Sequence, residues 1–134
     1  MVYPLPMRSS LTVSPARKNL KAVGAITGAL AGAGVATLRF DFTGLGESEG
    51  DSASTDFTTN VSDLAAAVDY MEATREGPKI LIGHSLGGAA VLAAAPGLGT
   101  VKAVATIGAP ASPSHVRALF GGSSIRSAAT VELP

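Results

Sequence analysis

The sequence predicts an α/β fold in which a parallel sheet of at least three strands carries helices on both faces. Short apolar runs alternate along the chain with longer segments whose apolar residues recur every three to four positions, as in amphipathic helices. The short runs do not alternate polar and apolar residues, which is typical of strands buried on both faces. With 134 residues, the chain has the length of one domain.

The first elements of this pattern lie before the middle of the chain. Residues 1–16 show no period and are predicted to form an irregular N-terminal segment, followed by a single domain over residues 17–134. Apolar residues at helical spacing predict a helix over residues 17–33, which two glycines end. The apolar run Val35–Phe40 predicts a strand, and a loop rich in Gly, Ser, Asp and Glu follows over residues 43–54.

Two further helix and strand pairs complete the prediction. The second helix begins after Asp56 or Thr59 and runs to about Thr74, where Gly and Pro end it. The remaining predicted elements alternate in type: strand 79–82, helix 86–95, strand 101–107 and a short helix 114–120. Helices that alternate with buried strands in this way indicate β-α-β units and hence a parallel sheet.

The composition excludes several classes of function. Lys plus Arg and Asp plus Glu both number 10, so the net charge is zero and no basic surface for nucleic acid is expected. Zero net charge gives little colloidal repulsion and therefore permits self-association. The chain has no Cys, so it has neither a disulfide nor a thiolate metal site. We expect no metal and no organic cofactor.

One uncharged stretch, Ala22–Leu38, carries glycines at the four-residue spacing of packed membrane helices. Gly32-Ala33-Gly34 interrupts it, its second half has strand character, and it is short for a membrane span. Met1–Ser10 contains prolines and an arginine but no apolar core, so it does not have the pattern of a secretory signal. We expect a cytoplasmic protein that has no membrane partner.

The strongest chemical signal is the motif Gly83-His84-Ser85-Leu86-Gly87, which stands between a predicted strand and a predicted helix. A nucleophile elbow needs this context, because the serine must project from a very tight strand-to-helix turn. Ser85 is therefore the candidate nucleophile, and the Leu86 N–H is the candidate oxyanion donor. The alternative interpretation is a glycine-rich turn in a non-catalytic α/β domain.

A second glycine-rich loop, Gly44–Gly50, follows the first clear strand and invites comparison with dinucleotide-binding turns. The third glycine comes one residue too late for that pattern. Glu47 and Glu49 would also face a pyrophosphate with like charge. The loop therefore predicts no nucleotide cofactor.

Two segments, Phe40–Ser48 (FDFTGLGES) and Ile82–Gly88 (IGHSLGG), resemble the α/β-hydrolase superfamily of lipases, esterases and serine aminopeptidase-like enzymes. Together with Ala105–Pro110, they look like the hydrolase portion of bacterial proteins that also occur fused to an OsmC-like domain. The resemblance covers about residues 18–120. It implies a partial α/β-hydrolase fold and names an OsmC-like domain as a possible partner.

In the family that the chain resembles, one strand precedes the loop at Asp41 and another precedes the elbow. A further strand lies between these two in the sheet, and the turn after it supplies a second oxyanion donor. That strand should fall around Ser9–Ala16, where the sequence has no convincing apolar run. Codons for Ser10–Ala16 can be chosen so that a shifted frame reads Phe-Ala-His-Cys-Phe-Thr-Cys, which resembles the family at this point. We hypothesise that the N-terminal residues are an out-of-frame translation.

An active serine needs a base and an acid that orients the base. In this fold their chain order is Ser, then Asp or Glu, then His. After Ser85 the only histidine is His115 and the only acid is Glu132, which is the reverse order. His115 is the candidate base, with a surface position as the alternative, and Glu132 is interpreted as part of a solvated tail. Structural roles are predicted for three earlier polar residues: His84, Asp41 and Asp63.

These observations predict a serine hydrolase of esterase or acyl-hydrolase type that acts through Ser85 on a small-molecule ester, thioester or amide. The triad is not complete in the sequence, so the domain is expected to be partial and to be inactive alone if nothing supplies the missing groups. The alternative is a non-catalytic α/β module, either a degraded enzyme or a fragment that works with a partner chain.

Overall fold

The computed structural model describes residues 8–13, 20–109 and 128–130. Its strands are β1 (Arg8–Val13), β2 (Val35–Phe40), β3 (Ile80–His84), β4 (Ala103–Ile107) and β5 (Ala128–Thr130). Its helices are α1 (Leu20–Gly32), α2 (Phe57–Thr74) and α3 (Leu86–Ala94). Short 3-10 turns lie at Ser52–Ser54 and Ala95–Gly97.

The strands form one parallel sheet in the order β2-β1-β3-β4-β5. The chain steps in one direction across the sheet from β1 to β2 and in the other direction from β2 to β3 and from β3 to β4. Because crossovers between parallel strands are right-handed, α1 covers one face of the sheet and α2 and α3 cover the other. The predicted α/β class, with a parallel sheet between helices, is confirmed.

Strand β1 lies within residues 1–16, for which the sequence predicts irregular structure, and that part of the prediction is wrong. Arg8–Val13 pairs with β2 on one side and with β3 on the other. This is the place that the family resemblance gives to a strand. The segment lacks the apolar run that marks the other strands, so pairing with two neighbours rather than local propensity determines it. The division into domains after residue 16 stays a prediction.

The main core lies between the sheet and the two helices α2 and α3. Phe42, the second residue after β2, is fully buried in it, and its ring meets that of Phe40 edge-on with 5.7 Å between centroids. The other core residues come from α2, α3, β3 and β4: Leu64, Val68, Met71, Leu81, Ala90, Val91, Ala94 and Val104. This packing holds the start of the loop after β2 and the helices α2 and α3 against the same sheet.

The element boundaries lie close to those predicted. Helix α2 begins after Asp56, because the Thr59 N–H donates to Asp56 Oδ1 at 2.8 Å and the Asp56 N–H donates to Thr59 Oγ1 at 3.3 Å. Strand β4 begins at Ala103 rather than Val101, since the Val101 N–H donates to the Leu98 carbonyl in a turn. The short helix predicted over 114–120 lies outside the described residues.

Helix α1, which carries most of the uncharged glycine-rich stretch, is 13 residues long and ends at Gly32. In the described ranges, no helix combines the length and the hydropathy that crossing a bilayer requires.

Candidate active site

The turn between β3 and α3 consists of Ser85 alone. Strand β3 ends at His84 and helix α3 begins at Leu86. Ser85 has φ 52° and ψ −120°, and within the described ranges it is the only non-glycine residue with positive φ. Such a conformation costs about 1–3 kcal/mol and persists only where the surroundings enforce it. The structure therefore places Ser85 in the strained, one-residue turn that the sequence motif predicts.

Hydrogen bonds hold both backbone groups of Ser85. Its N–H donates to the Ile107 carbonyl at the end of β4, at 2.9 Å. Its carbonyl oxygen accepts from the Gly88 N–H at 2.9 Å and from the Ala89 N–H at 3.3 Å. The turn is thus fixed to the neighbouring strand on one side and to the first turn of α3 on the other.

Two glycines allow strand and helix to approach this closely. A Cβ built on Gly83 would overlap the Gly87 carbonyl. A Cβ built on Gly88 would lie 2.7 Å from the Ala109 Cβ, closer than side chains approach. The motif identifies Gly83 and Gly87, whereas the need for glycine at position 88 comes from the loop after β4, which the motif does not contain.

The first turn of α3 offers hydrogen-bond donors next to Ser85. Within the described part of the chain, the N–H groups of Leu86 and Gly87 donate to no other residue. The first turn carries no acidic side chain, so no carboxylate on the helix neutralises the positive end of the helix dipole. The Leu86 N–H, next to Ser85, can stabilise negative charge that develops close to the Ser85 hydroxyl.

The loop after β2 ends on the same edge of the sheet as the elbow, because all strands are parallel. The Glu47 N–H donates to Asp41 Oδ2 at 3.2 Å. A Cβ on Gly46, which has φ 57°, would overlap the Asp41 carboxylate. Asp41 therefore organises the loop from within, in line with the structural role that the sequence predicts.

Asp63 connects this loop to α2. Its carboxylate accepts from the Thr43 N–H at 2.8 Å and from the Thr43 hydroxyl at 3.1 Å. The predicted structural role of Asp63 is correct, but the residue does more than cover a helix surface, since it fixes the loop across 20 residues of sequence. β2 and β3 are separated by β1, so the loop lies roughly 10 Å from the elbow at ordinary strand spacing.

Two residues that the sequence singles out lie outside the described residues. They are His115, the candidate base, and Glu132, interpreted as part of a solvated tail, so both interpretations stay predictions. His84 is half-buried at the end of β3, and strand alternation directs it to the face opposite that of Gly83, which faces α3. Within residues 20–109, no three His, Asp or Glu side chains lie close enough together to hold a metal ion.

Comparison with known proteins assigns the chain to a family. Residues 18–123 match the family model Hydrolase_4, described as serine aminopeptidase, S33. The chain belongs to this family. Its solved structural neighbours are α/β-hydrolases too, so the predicted resemblance to that superfamily is confirmed. The proposed relation to OsmC fusion proteins stays a prediction.

Three solved structures illustrate the relationship. The esterase domain of a Rhodothermus marinus protein is 51% identical, with a TM-score of 0.65 over 84% of this chain and 45% of that one. An α/β serine hydrolase homologue from Coxiella burnetii has a TM-score of 0.76 at 23% identity, over 93% of this chain and 61% of that one. Est1E from Butyrivibrio proteoclasticus, solved with ferulic acid, has a TM-score of 0.72 at 23% identity, over 90% of this chain and 49% of that one.

This member of the family spans about half the length of the first of these hydrolases and less than two thirds of the others. The relatives below 25% identity show that the fold is shared. The Rhodothermus marinus domain also shows a close sequence relationship. Curated protein sequences gave no significant match to the chain.

Proposed function

We propose that this hydrolase is a serine esterase or acyl-hydrolase in which Ser85 is the nucleophile. The observation that supports the proposal best is the backbone of Ser85, which has positive φ in a one-residue turn between a central strand and a helix N-terminus. Strain of this kind is concentrated at functional sites. The 51% identity to an esterase domain supports ester hydrolysis over other reactions of the family.

In the proposed reaction, Ser85 Oγ attacks the carbonyl carbon of a small-molecule ester, thioester or amide. A C–O bond forms, the carbonyl π pair moves to oxygen, and the hydroxyl proton passes to a base. The Leu86 N–H donates to the resulting oxyanion, and loss of one such donor costs about 3–4 kcal/mol in known hydrolases. The tetrahedral species collapses as the leaving group departs with the proton, and water then releases the acyl group from Ser85.

His115 is the residue of this chain that we propose as base. It is the histidine that follows Ser85 in the sequence, and the expected chain order puts the base after the nucleophile. No metal and no organic cofactor takes part in the proposed mechanism. We also propose that the protein acts in the cytoplasm. We further propose that it self-associates or works beside an OsmC-like domain. Size-exclusion chromatography with light scattering measures the self-association.

A second candidate function is a non-catalytic α/β module that works with a partner chain. The order of the ionisable residues after Ser85 favours this candidate, since His115 precedes Glu132 where a triad needs the reverse. The two candidates differ in the reactivity of the Ser85 hydroxyl, which only the enzyme activates.

A fluorophosphonate probe separates the two candidates. We expect the purified protein to be labelled, Ser85→Ala to lose labelling, and Ser62→Ala to keep it, since Ser62 is an exposed serine on α2. Folding of each variant is checked by circular dichroism. A folded wild-type protein that the probe does not label would refute the hydrolase and favour the non-catalytic module.

A further inference from the structure

Two polar side chains in the described part of the chain are buried without a hydrogen-bond partner among the described residues. They are Asn60, which is 7% exposed, and Thr106, which is 5% exposed. Folded proteins pair nearly all such groups, because an unpaired buried polar group loses the hydrogen bonds it makes to water. An exception therefore calls for an explanation.

Asn60 stands at the start of an otherwise apolar helix face. The buried residues that follow it on α2 are Leu64, Val68 and Met71. An apolar side chain would continue this face, so packing alone disfavours an asparagine there. Asp63, in the next turn, accepts hydrogen bonds from Thr43 of the loop after β2, whereas the Asn60 carboxamide makes no such hydrogen bond to a described residue.

The topology places Asn60 at the same edge of the sheet as the elbow. Helices α2 and α3 both begin at the carboxyl edge of the sheet, run back in parallel and pack against each other. Leu64 shares its core with Ala90 and Val91, which lie one turn after the start of α3. Asn60 precedes Leu64 by one turn and lies in the first turn of α2, at the edge of the sheet where α3 also begins.

The first turn of α3 carries groups that complement the carboxamide. The N–H of Gly87, a buried residue, donates to no other described residue. The side-chain oxygen of Asn60 is an acceptor in the first turn of α2, which packs against α3. A water between an unpaired donor and an unpaired acceptor is the ordinary way in which buried groups of this kind are satisfied.

We propose that Asn60 is a positioning residue for the Ser85 elbow. Its carboxamide oxygen accepts a hydrogen bond from the Gly87 N–H through one ordered water, and this fixes the first turn of α3. The Leu86 N–H, in the same turn, is thereby held in place for the oxyanion. The catalytic part of the proposal rests on the proposed function, whereas the contact with Gly87 does not.

Amide hydrogen exchange tests the contact without any need for activity. In Asn60→Leu, which replaces the carboxamide by the apolar side chain closest to it in shape, the Gly87 N–H should exchange about tenfold faster from the native state. Asn60→Ser, whose hydroxyl can still hold the water, should stay near wild type. Val68→Ala, two turns further along the same face, lowers overall stability and serves as the control. Unchanged exchange of Gly87 in Asn60→Leu would overturn the proposal.

Probe kinetics test the consequence for the elbow. We expect Asn60→Leu to lower the maximal rate of fluorophosphonate labelling about tenfold at an unchanged half-saturating probe concentration, with no loss of thermal stability. A merely structural residue would change stability and leave the maximal rate as it is. Wild-type protein that is not labelled counts against the proposed function, and exchange at Gly87 then decides the contact. Labelling of Asn60→Leu at the wild-type rate overturns the positioning role alone.

Discussion

The backbone N–H of Ser85 donates to the carbonyl oxygen of Ile107 at 2.9 Å, which ties the turn after β3 to the last residue of β4. This bond joins two residues that are 22 positions apart in the sequence. It fixes the N–H of the candidate nucleophile to the sheet, while the first turn of α3 donates hydrogen bonds to its carbonyl oxygen. The strained conformation of Ser85 is therefore a property of the assembled sheet.

Gly83→Ala should be strongly destabilising, because the new Cβ would overlap the Gly87 carbonyl and neither backbone can move away. We expect the free energy of unfolding to fall by about 3 kcal/mol in urea titration. Gly28→Ala is the matched control, since a Cβ there meets nothing within 4 Å, and it should raise stability by about 1 kcal/mol as an exposed helix position. Equal stability of the two variants would contradict the geometry of the elbow.

Ser85→Gly should be more stable than Ser85→Ala, because glycine adopts φ 52° without strain and alanine does not. We expect a difference of about 1 kcal/mol in the free energy of unfolding. Both variants lose the hydroxyl, so neither should react with a fluorophosphonate. The expectation fails if Ser85→Ala is as stable as Ser85→Gly.

Thr43→Val should loosen the loop after β2, because it removes the hydroxyl that donates to Asp63 Oδ1 at 3.1 Å. We expect a loss of about 1 kcal/mol, and Thr43→Ser should retain most of the stability. In a double-mutant cycle with Asp63→Asn, the two residues should show a coupling of at least about 0.5 kcal/mol. Additive effects would show that the carboxylate and the hydroxyl act independently.

Asp56 should make stability depend on pH in the acid range. Hydrogen bonds from the Thr59 backbone N–H and from its hydroxyl hold the pKa of Asp56 below its ordinary value. A folded-state pKa below the unfolded one means that the stabilisation is present above about pH 4 and is lost as pH falls through the folded pKa. Asp56→Ser caps the helix without titrating, so its stability should fall less between pH 5 and pH 2 than that of wild type. Parallel pH profiles would contradict this assignment.

Resequencing the coding DNA tests the hypothesis that the N-terminal residues are read out of frame. Strand β1 occupies an inner position of a parallel sheet, where strands are mostly continuous apolar runs, yet its sequence is RSSLTV. The shifted reading, Phe-Ala-His-Cys-Phe-Thr-Cys, is more apolar. We expect resequencing to show a frame change near the codons for Ser10–Ala16, and an intact frame with the present N-terminus would refute the hypothesis.

Most of the fold could be predicted because its signals are local. The apolar run Val35–Phe40 forms β2 as predicted, and Asp56 with Thr59 marks the start of α2 through a capping pattern only three residues long. The tight turn at Ser85 follows from two glycines and a serine between a strand and a helix. β1 escaped prediction because its strand character depends on pairing with β2 and β3, which no local pattern records.

By itself, the sequence determined the α/β class, the order of helices and strands, the place of Ser85 and the family, because spacing and turn residues act over a few positions. Only the tertiary structure decided that Arg8–Val13 completes the sheet and that Asp63 holds Thr43. It also decided that position 88 must be glycine, because Ala109 packs against it. Each of these depends on a contact between residues far apart in the chain, which exists only once the strands have paired and the helices have packed on them.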